Sequence, residues 1–344
     1  MKKYFLIIFV IIFLISCVKD KMPDSIKPYV ELSSLKKVFV VNEGNYGSTN
    51  ASISLFDPAN NNVIENFYQF QNNESPIIGD VAQSLSKIND KFYLVVNNSG
   101  KIIVCNSQLK KINQIINLPS PRYVLPITNQ KAYVSNYVGN LISIIDLNSN
   151  TVIGSISCSG WTEKMVLIYN KAFITNMRRN YIYIINTISD FKEDSVEVGI
   201  NSGSIVIDKN DKIWVLSSGD NVNSKLARLS RINSITNKIE YVFQFETSDS
   251  PNSLNINKTA DTLFYINGGI FKMPINSNQL PISPFINSGN KNFYSIGINP
   301  NTFDVFAADA MDYVQKSNIY IYDAFGNPKI YFKAGIISND FYFE

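Results

Sequence analysis

Residues 131–146 read KAYVSNYVGNLISIID, and residues 171–186 read KAFITNMRRNYIYIIN. The two stretches share a frame: an Ala-aromatic-aliphatic run ending in Asn, then an alternating run ending in Asp or Asn. Only the middle changes, from YVGN to MRRN. Upstream, KFYLVVNNSGKIIVCN at 91–106 repeats the frame a third time. Large apolar residues recur with a period of two and no long helical period competes, so each version reads as two strands around a short loop.

Seven copies can be counted at a spacing of about forty residues, a period that points to a repeat architecture. Their second strands are VFVVN (38–42), FYLVVN (92–97), AYVSN (132–136), AFITN (172–176), IWVLSS (213–218), LFYIN (263–267) and DVFAAD (304–309). The third strands are ISLFD (53–57), KIIVCN (101–106), ISIID (142–146), IYIIN (182–186), KLARLSR (225–231), IFKMP (270–274) and IYIYD (319–323). The first copy lacks an opening strand, and the surplus C-terminal text IISNDFYFE can supply it. The chain is therefore expected to be all-β. A single seven-bladed β-propeller of four-stranded blades should span 36–344, with its ring closed by the C-terminal strand. The fifth and sixth copies are degenerate, which leaves six or eight blades open as alternatives. Closure removes the open edges that so many strands would otherwise expose. An open solenoid would need polar caps, and no cap is apparent in the text.

The first sixteen residues, MKKYFLIIFVIIFLIS, combine two lysines with a short apolar run and end before Cys17. This is the pattern of a secretion signal. LISC resembles a lipobox, which implies cleavage before Cys17 and lipid attachment there. Residues 1–16 are thus read as a lipoprotein signal peptide and 17–35 as a lipid-anchored tether, with the lipid as the sole membrane contact.

Composition narrows the function. Removal of Lys2 and Lys3 with the signal leaves 29 of the 31 basic residues against 28 acidic ones, and no basic run is interleaved with aromatics. Nucleic acid is not an expected partner. Histidine is absent, which excludes Ser-His-Asp and Cys-His catalysis and His-ligated metal sites. Asp309 and Asp312 lack the ligand spacing of a calcium loop. No catalytic residue, metal site or cofactor is therefore assigned. Cys105 and Cys158 sit in apolar strand text and are expected to be buried free thiols.

The repeats AYVSN and AFITN resemble the YVTN-type repeats of bacterial surface propellers. FVVNEGNYGSTNASISLFD, GDVAQSLSKINDKFYLVVNNSGKIIVCN and GIISNDFYF are similar to propeller lipoproteins of Bacteroides-like bacteria. That group includes lipoproteins that capture cobalamin and pass it to an outer-membrane transporter. The resemblance implies an outer-membrane, surface-exposed lipoprotein that holds a corrinoid for a TonB-dependent transporter.

Within the repeats, the recurrent strand-end Asn (42, 97, 136, 176, 267) reads as a turn lock, and the preceding aromatic as packing between blades. The non-repeating loops are different. Loops between second and third strands and loops between blades leave a propeller on the same face, around the channel mouth. Tyr46, Arg122, Tyr123, Tyr137, Trp161, Arg178, Arg179, Tyr294 and Tyr313 fall there, together with Phe293. None has a blade-building duty, and Tyr, Trp and Arg are the types that concentrate binding energy. They are taken as ligand-binding candidates, although isolated exposed aromatics are also ordinary surface. Trp161 stands out, a large ring in the short connection SGWTEK. Arg178 and Arg179 could meet a phosphate or carboxylate. Two other classes remain open: an adhesion or scaffold propeller, and a carboxylate-dependent hydrolase or lyase drawing on Glu43, Glu74, Asp80, Glu163, Asp220 or Asp312.

Overall fold

The computed structural model describes residues 36–344, and these form a ring of seven antiparallel sheets. The predicted signal peptide, tether and Cys17 lie outside the described residues. The first blade pairs Ser338–Phe343 with Val38–Asn42, followed outward by Ser52–Asp57 and Asn62–Ile64. The C-terminal strand is thus the innermost strand of the blade that the N-terminal strands complete, as expected. Blades two to five and blade seven each run from an inner to an outer strand in chain order, four strands apiece.

Burial explains the repeated text. Both faces of a blade press against neighbouring blades, so the second strand Lys171–Asn176 is buried at every position but the first. The outer strand Phe191–Glu197 of the same blade faces water and is exposed at all but one position. The recurrent aromatics fill the seams: Tyr93, Tyr133, Phe173, Trp214 and Phe264 are all buried. At the closure, Phe92 meets Tyr342 edge-on at 5.1 Å, and Phe56 stacks on Phe332 at 4.5 Å. Such pairs contribute roughly 1 kcal/mol each beyond area burial.

The recurrent Asn is a turn lock in atomic detail. The Asn136 amide donates to the carbonyls of Val134 and Leu141 and to Ser143 Oγ, at 3.0, 3.1 and 3.2 Å. The lysine opening the third and fourth copies has a duty the text did not disclose. Lys131 Nζ reaches Asp190 at 2.8 Å and the Thr187 carbonyl at 2.9 Å, on the outer turn of the next blade. Lys171 repeats the reach to the Ile235 carbonyl and Asn237. Cys105 and Cys158 are buried and free, and burial pushes both thiols up to about 12.

Two blades depart from the simple repeat. In the fifth, the third strand is Arg228–Asn233 and not 225–231, because Asp220 pairs with Lys225 and closes a longer turn. Gly219, at φ +73°, permits this; a Cβ there would lie 2.4 Å from the Lys225 carbonyl oxygen. The sixth blade has three strands, Asn252–Ile256, Thr262–Asn267 and Gly269–Pro274. Its outer place is taken by a single bridge between Ile270 and Ile286. The intervening text carries Pro281 and Pro284, which have no N–H for a ladder.

Candidate functional site

Every innermost strand carries a β-bulge at the same place, just after it leaves the connection from the preceding blade. Pairing slips between Ala82 and Ser84, Pro121 and Val124, Thr162 and Met165, Ser202 and Ser204, Asn252 and Asn255, and Phe293 and Ser295. The seventh slip lies where Asn42 and Val41 pair with Ser338 and Asp340. A bulge leaves one residue unpaired and re-aims its side chain. The skipped residues include Gln83, Arg122, Glu163, Gly203, Ser253, Tyr294 and Asn339. All of them line one cavity of about 420 Å³ at the mouth of the central channel. Six contribute side chains; Gly203 leaves a gap beside Met177, whose sulfur would lie 2.9 Å from a Cβ there.

The largest charges in the mouth are already paired. Arg122 donates from Nε to Glu163 Oε2 at 2.8 Å and from Nη2 to Oε1 at 2.7 Å, and its Nη1 donates to Gln83. Glu163 also accepts from Trp161 Nε1 at 2.6 Å. The ion pair is largely buried, with side chains 15% and 8% exposed. Arg122 lies over the Trp161 ring at 5.3 Å, Tyr137 meets that ring edge-on at 4.5 Å, and Arg178 covers Tyr137 at 5.1 Å. Two adjoining rings are thus capped by a guanidinium at each end, from the rim into the cavity. Each contact contributes on the order of 1 kcal/mol where it is sheltered from water.

Across the mouth, Glu43 accepts from Tyr294 Oη at 3.3 Å and from Asn339 Nδ2 at 2.8 Å. Burial strips water from its carboxylate and raises its pKa from 4.5 to about 7, against the opposing pull of Arg122. The folded protein therefore keeps a proton that the unfolded chain releases above pH 4.5. The contribution of Glu43 to stability is greatest below that pH and declines as pH rises to about 7, where the loss levels off. Asp261 and Asp312, held down to about 2 by their turn hydrogen bonds, act in the opposite direction at acid pH. Asp340, on the inner strand Ser338–Phe343, is raised for the same reason as Glu43 and acts in the same direction as Glu43. Glu43→Gln is expected to flatten much of this decline, on the order of 2 kcal/mol. Thermal melts of the wild type and Glu43→Gln from acid to neutral pH test it, and a difference between the two that does not change with pH would remove Glu43 from this role. Asn339 also holds an acceptor in reserve, since its Oδ1 is buried and has no partner among the described residues.

Of the sequence-predicted residues, Arg122, Tyr123, Trp161, Tyr294 and Tyr313 line the cavity, as does Phe293. Tyr137 and Arg178 reach it through the stack on Trp161. Tyr46 and Arg179 do not. Tyr46 is 80% exposed on the first-blade loop, which Asp80 anchors by accepting from the Gly47 amide. Arg179 is exposed at the tip beside Arg178. Among the carboxylates, Glu43 and Glu163 converge on the cavity, whereas Asp220 and Asp312 cap their own turns and Glu74 lies in an outer groove. Sequence reading overlooked Gln83, Lys164, Ser253 and Asn339 as site residues. Their signal was positional: they follow the connection between blades and fail to repeat from blade to blade.

A family model described as a domain of unknown function, DUF5074, matches residues 36–343, the whole propeller. The chain belongs to that family. No curated protein matches the sequence. Among solved structures, the periplasmic gluconolactonase of Pseudomonas aeruginosa superposes with a TM-score of 0.69 at 12% identity, covering 90% of this chain and 99% of that one. A quinonprotein alcohol dehydrogenase-like protein of Bacteroides thetaiotaomicron gives 0.68 at 14% identity, covering 90% and 78%. A protein from Lactobacillus plantarum gives 0.65 at 11%, covering 90% and 100%. At these identities the likeness is one of fold, and the chemistry of this DUF5074 propeller must be argued from its own mouth.

Proposed function

We propose that this protein captures a ligand at the channel mouth without transforming it, and that the ligand is a corrinoid such as cobalamin. The observation that carries capture is the continuous stack Arg178–Tyr137–Trp161–Arg122, which leads from the rim to the cavity. Its groups are held by hydrogen bonds to Glu163, Gln83 and one another, so little ordering remains for a ligand to impose. The cavity falls within the size range of small-molecule sites. A corrinoid would fill it with one side arm and lay its ring across the aromatic rim. Lipid anchoring through Cys17 and transfer to a TonB-dependent outer-membrane transporter belong to this reading and rest on the sequence resemblance.

Titration calorimetry of residues 22–344 against cyanocobalamin tests it. One-to-one binding is expected, weakened at least tenfold by Trp161→Ala and several-fold by Arg178→Ala, as truncation of central aromatic and Arg anchors does. Absence of binding would overturn the corrinoid assignment.

A carboxylate-dependent hydrolase is the second reading, favoured by the convergence of Glu43 and Glu163 on one cavity. The gluconolactonase neighbour makes a sugar lactone the first substrate to try. Turnover abolished in both Glu43→Gln and Glu163→Gln would establish it over capture.

A further inference from the structure

A second groove opens on the loop-bearing face, at the seam between the fourth and fifth blades. Its volume is about 410 Å³, and its walls are the connection at Gly199–Ile200, the turn Ser224–Leu226, and the start of the strand Arg228–Asn233. Arg228 is half-buried within it, its stem lying against Gly199, where a Cβ would come 3.4 Å from Arg228 Cδ. Gly199 holds φ +100°, so glycine both shapes the turn and leaves room for the guanidinium stem.

The chain has five arginines. Arg122 and Arg231 are ion-paired with glutamates, and Arg178 donates to Tyr137 Oη. Arg179 sits at an exposed loop tip. Arg228 differs from them all: it is part-buried, lines a cavity, and has no hydrogen-bond or ion-pair partner among the described residues. Lys225 beside it is equally unpaired, and Gln244 and Asn180 line the same groove. Glu197 also lines the groove, but it forms no ion pair with either cation. The five N–H donors of the Arg228 fork are committed to no protein acceptor among the described residues, so an anion entering the groove finds them free to bind it.

We propose that this groove is a phosphate-binding site, separate from the channel mouth, in which Arg228 grips two oxygens of a phosphate or phosphate monoester and Lys225 neutralises the remaining charge. The guanidinium plane matches two phosphate oxygens, whereas the ammonium acts as a mobile point charge. Glu197 opposes the bound anion and keeps the affinity modest. The site does not depend on what the mouth binds.

Inorganic phosphate and glycerol phosphate are the probes, with acetate as the carboxylate control, followed by amide chemical shifts of the isotope-labelled protein. Phosphate is expected to move the Gly199, Ile200 and Lys225 amides and leave those of Trp161 and Glu163 in place. Arg228→Gln should weaken binding roughly tenfold or more, and Lys225→Gln less, since one charged hydrogen-bond set is lost in each. Glu197→Gln should tighten binding, a gain that a merely structural role for these residues would not produce. Raising the salt concentration should weaken it. Glycerol phosphate binding as well as inorganic phosphate marks a monoester ligand, while a preference for inorganic phosphate marks the free ion. Shifts undiminished in Arg228→Gln, no shifts at all, or equal affinity for acetate would each overturn the proposal. Lys225 is exposed, so its variant keeps the test valid if Arg228→Gln fails to fold.

Discussion

Deletion of residues 337–344 is expected to abolish the folded ring, not merely to weaken it. The lost strand Ser338–Phe343 is the inner wall of the first blade, and it pairs with Val38–Asn42 across most of the chain length. Its removal empties the closure of Tyr342 against Phe39 and Phe92, and of Phe341 and Phe343 against Phe306. It also strips Asn42 of its bond from Ser338 Oγ, leaves Ser295 Oγ without the Ser338 carbonyl, and breaks the ion pair of Glu344 with Lys87. Loss of three partly buried aromatics together with a whole strand ladder costs on the order of 5 kcal/mol or more, comparable with the full stability of many domains. Opening the ring also exposes strand edges that pair between molecules. Circular dichroism melts and size-exclusion chromatography should show loss of the cooperative transition and aggregation. A truncated chain that melts cooperatively near the wild-type temperature would refute the closure as the source of stability.

Arg122→Ala is expected to cost about 3–5 kcal/mol, because it leaves the Glu163 carboxylate buried without its cation. Glu163 is 8% exposed and holds Trp161 Nε1 as well, so the loss spreads to the ring at the cavity wall. Gln83 loses its donor at the same time. The double variant Arg122→Met/Glu163→Gln removes both charges while keeping the volume, and most of the stability should return. Urea unfolding of the three proteins gives the answer, with the slopes checked for constancy. A small effect in Arg122→Ala would show that water reaches the pair freely, and would weaken the case for a rigid mouth. The same double variant separates stability from function, since ligand affinity should stay low even where folding recovers.

The repeating blades and the closing strand were legible because each copy carries the same period-two text and because one strand was missing at one end and surplus at the other. Trp161, Tyr294 and Arg122 were legible as residues with no place in that text. Tyr46 and Arg179 satisfied the same criterion yet stand away from the cavity, because loop membership says nothing of how far along the loop a side chain turns outward. The sixth blade lost its fourth strand around Pro281 and Pro284, a departure its degenerate copy hinted at without locating.

By itself, then, the sequence determined the repeating four-stranded blades, their order and the seam that closes them, since alternation and repeat length act along the chain and need no distant contact to be read. The ring of sheets fixed their number at seven. Tertiary structure alone decided which residues face the channel. A bulge is a mismatch of one residue between two strands, and it appears only once neighbouring blades have set the register. That mismatch aims Gln83, Glu163, Tyr294 and Asn339 into the mouth, where Arg122 can pair with Glu163 across the seam between blades three and four. Those partners lie about forty residues apart in the chain, and only the ring brings them together.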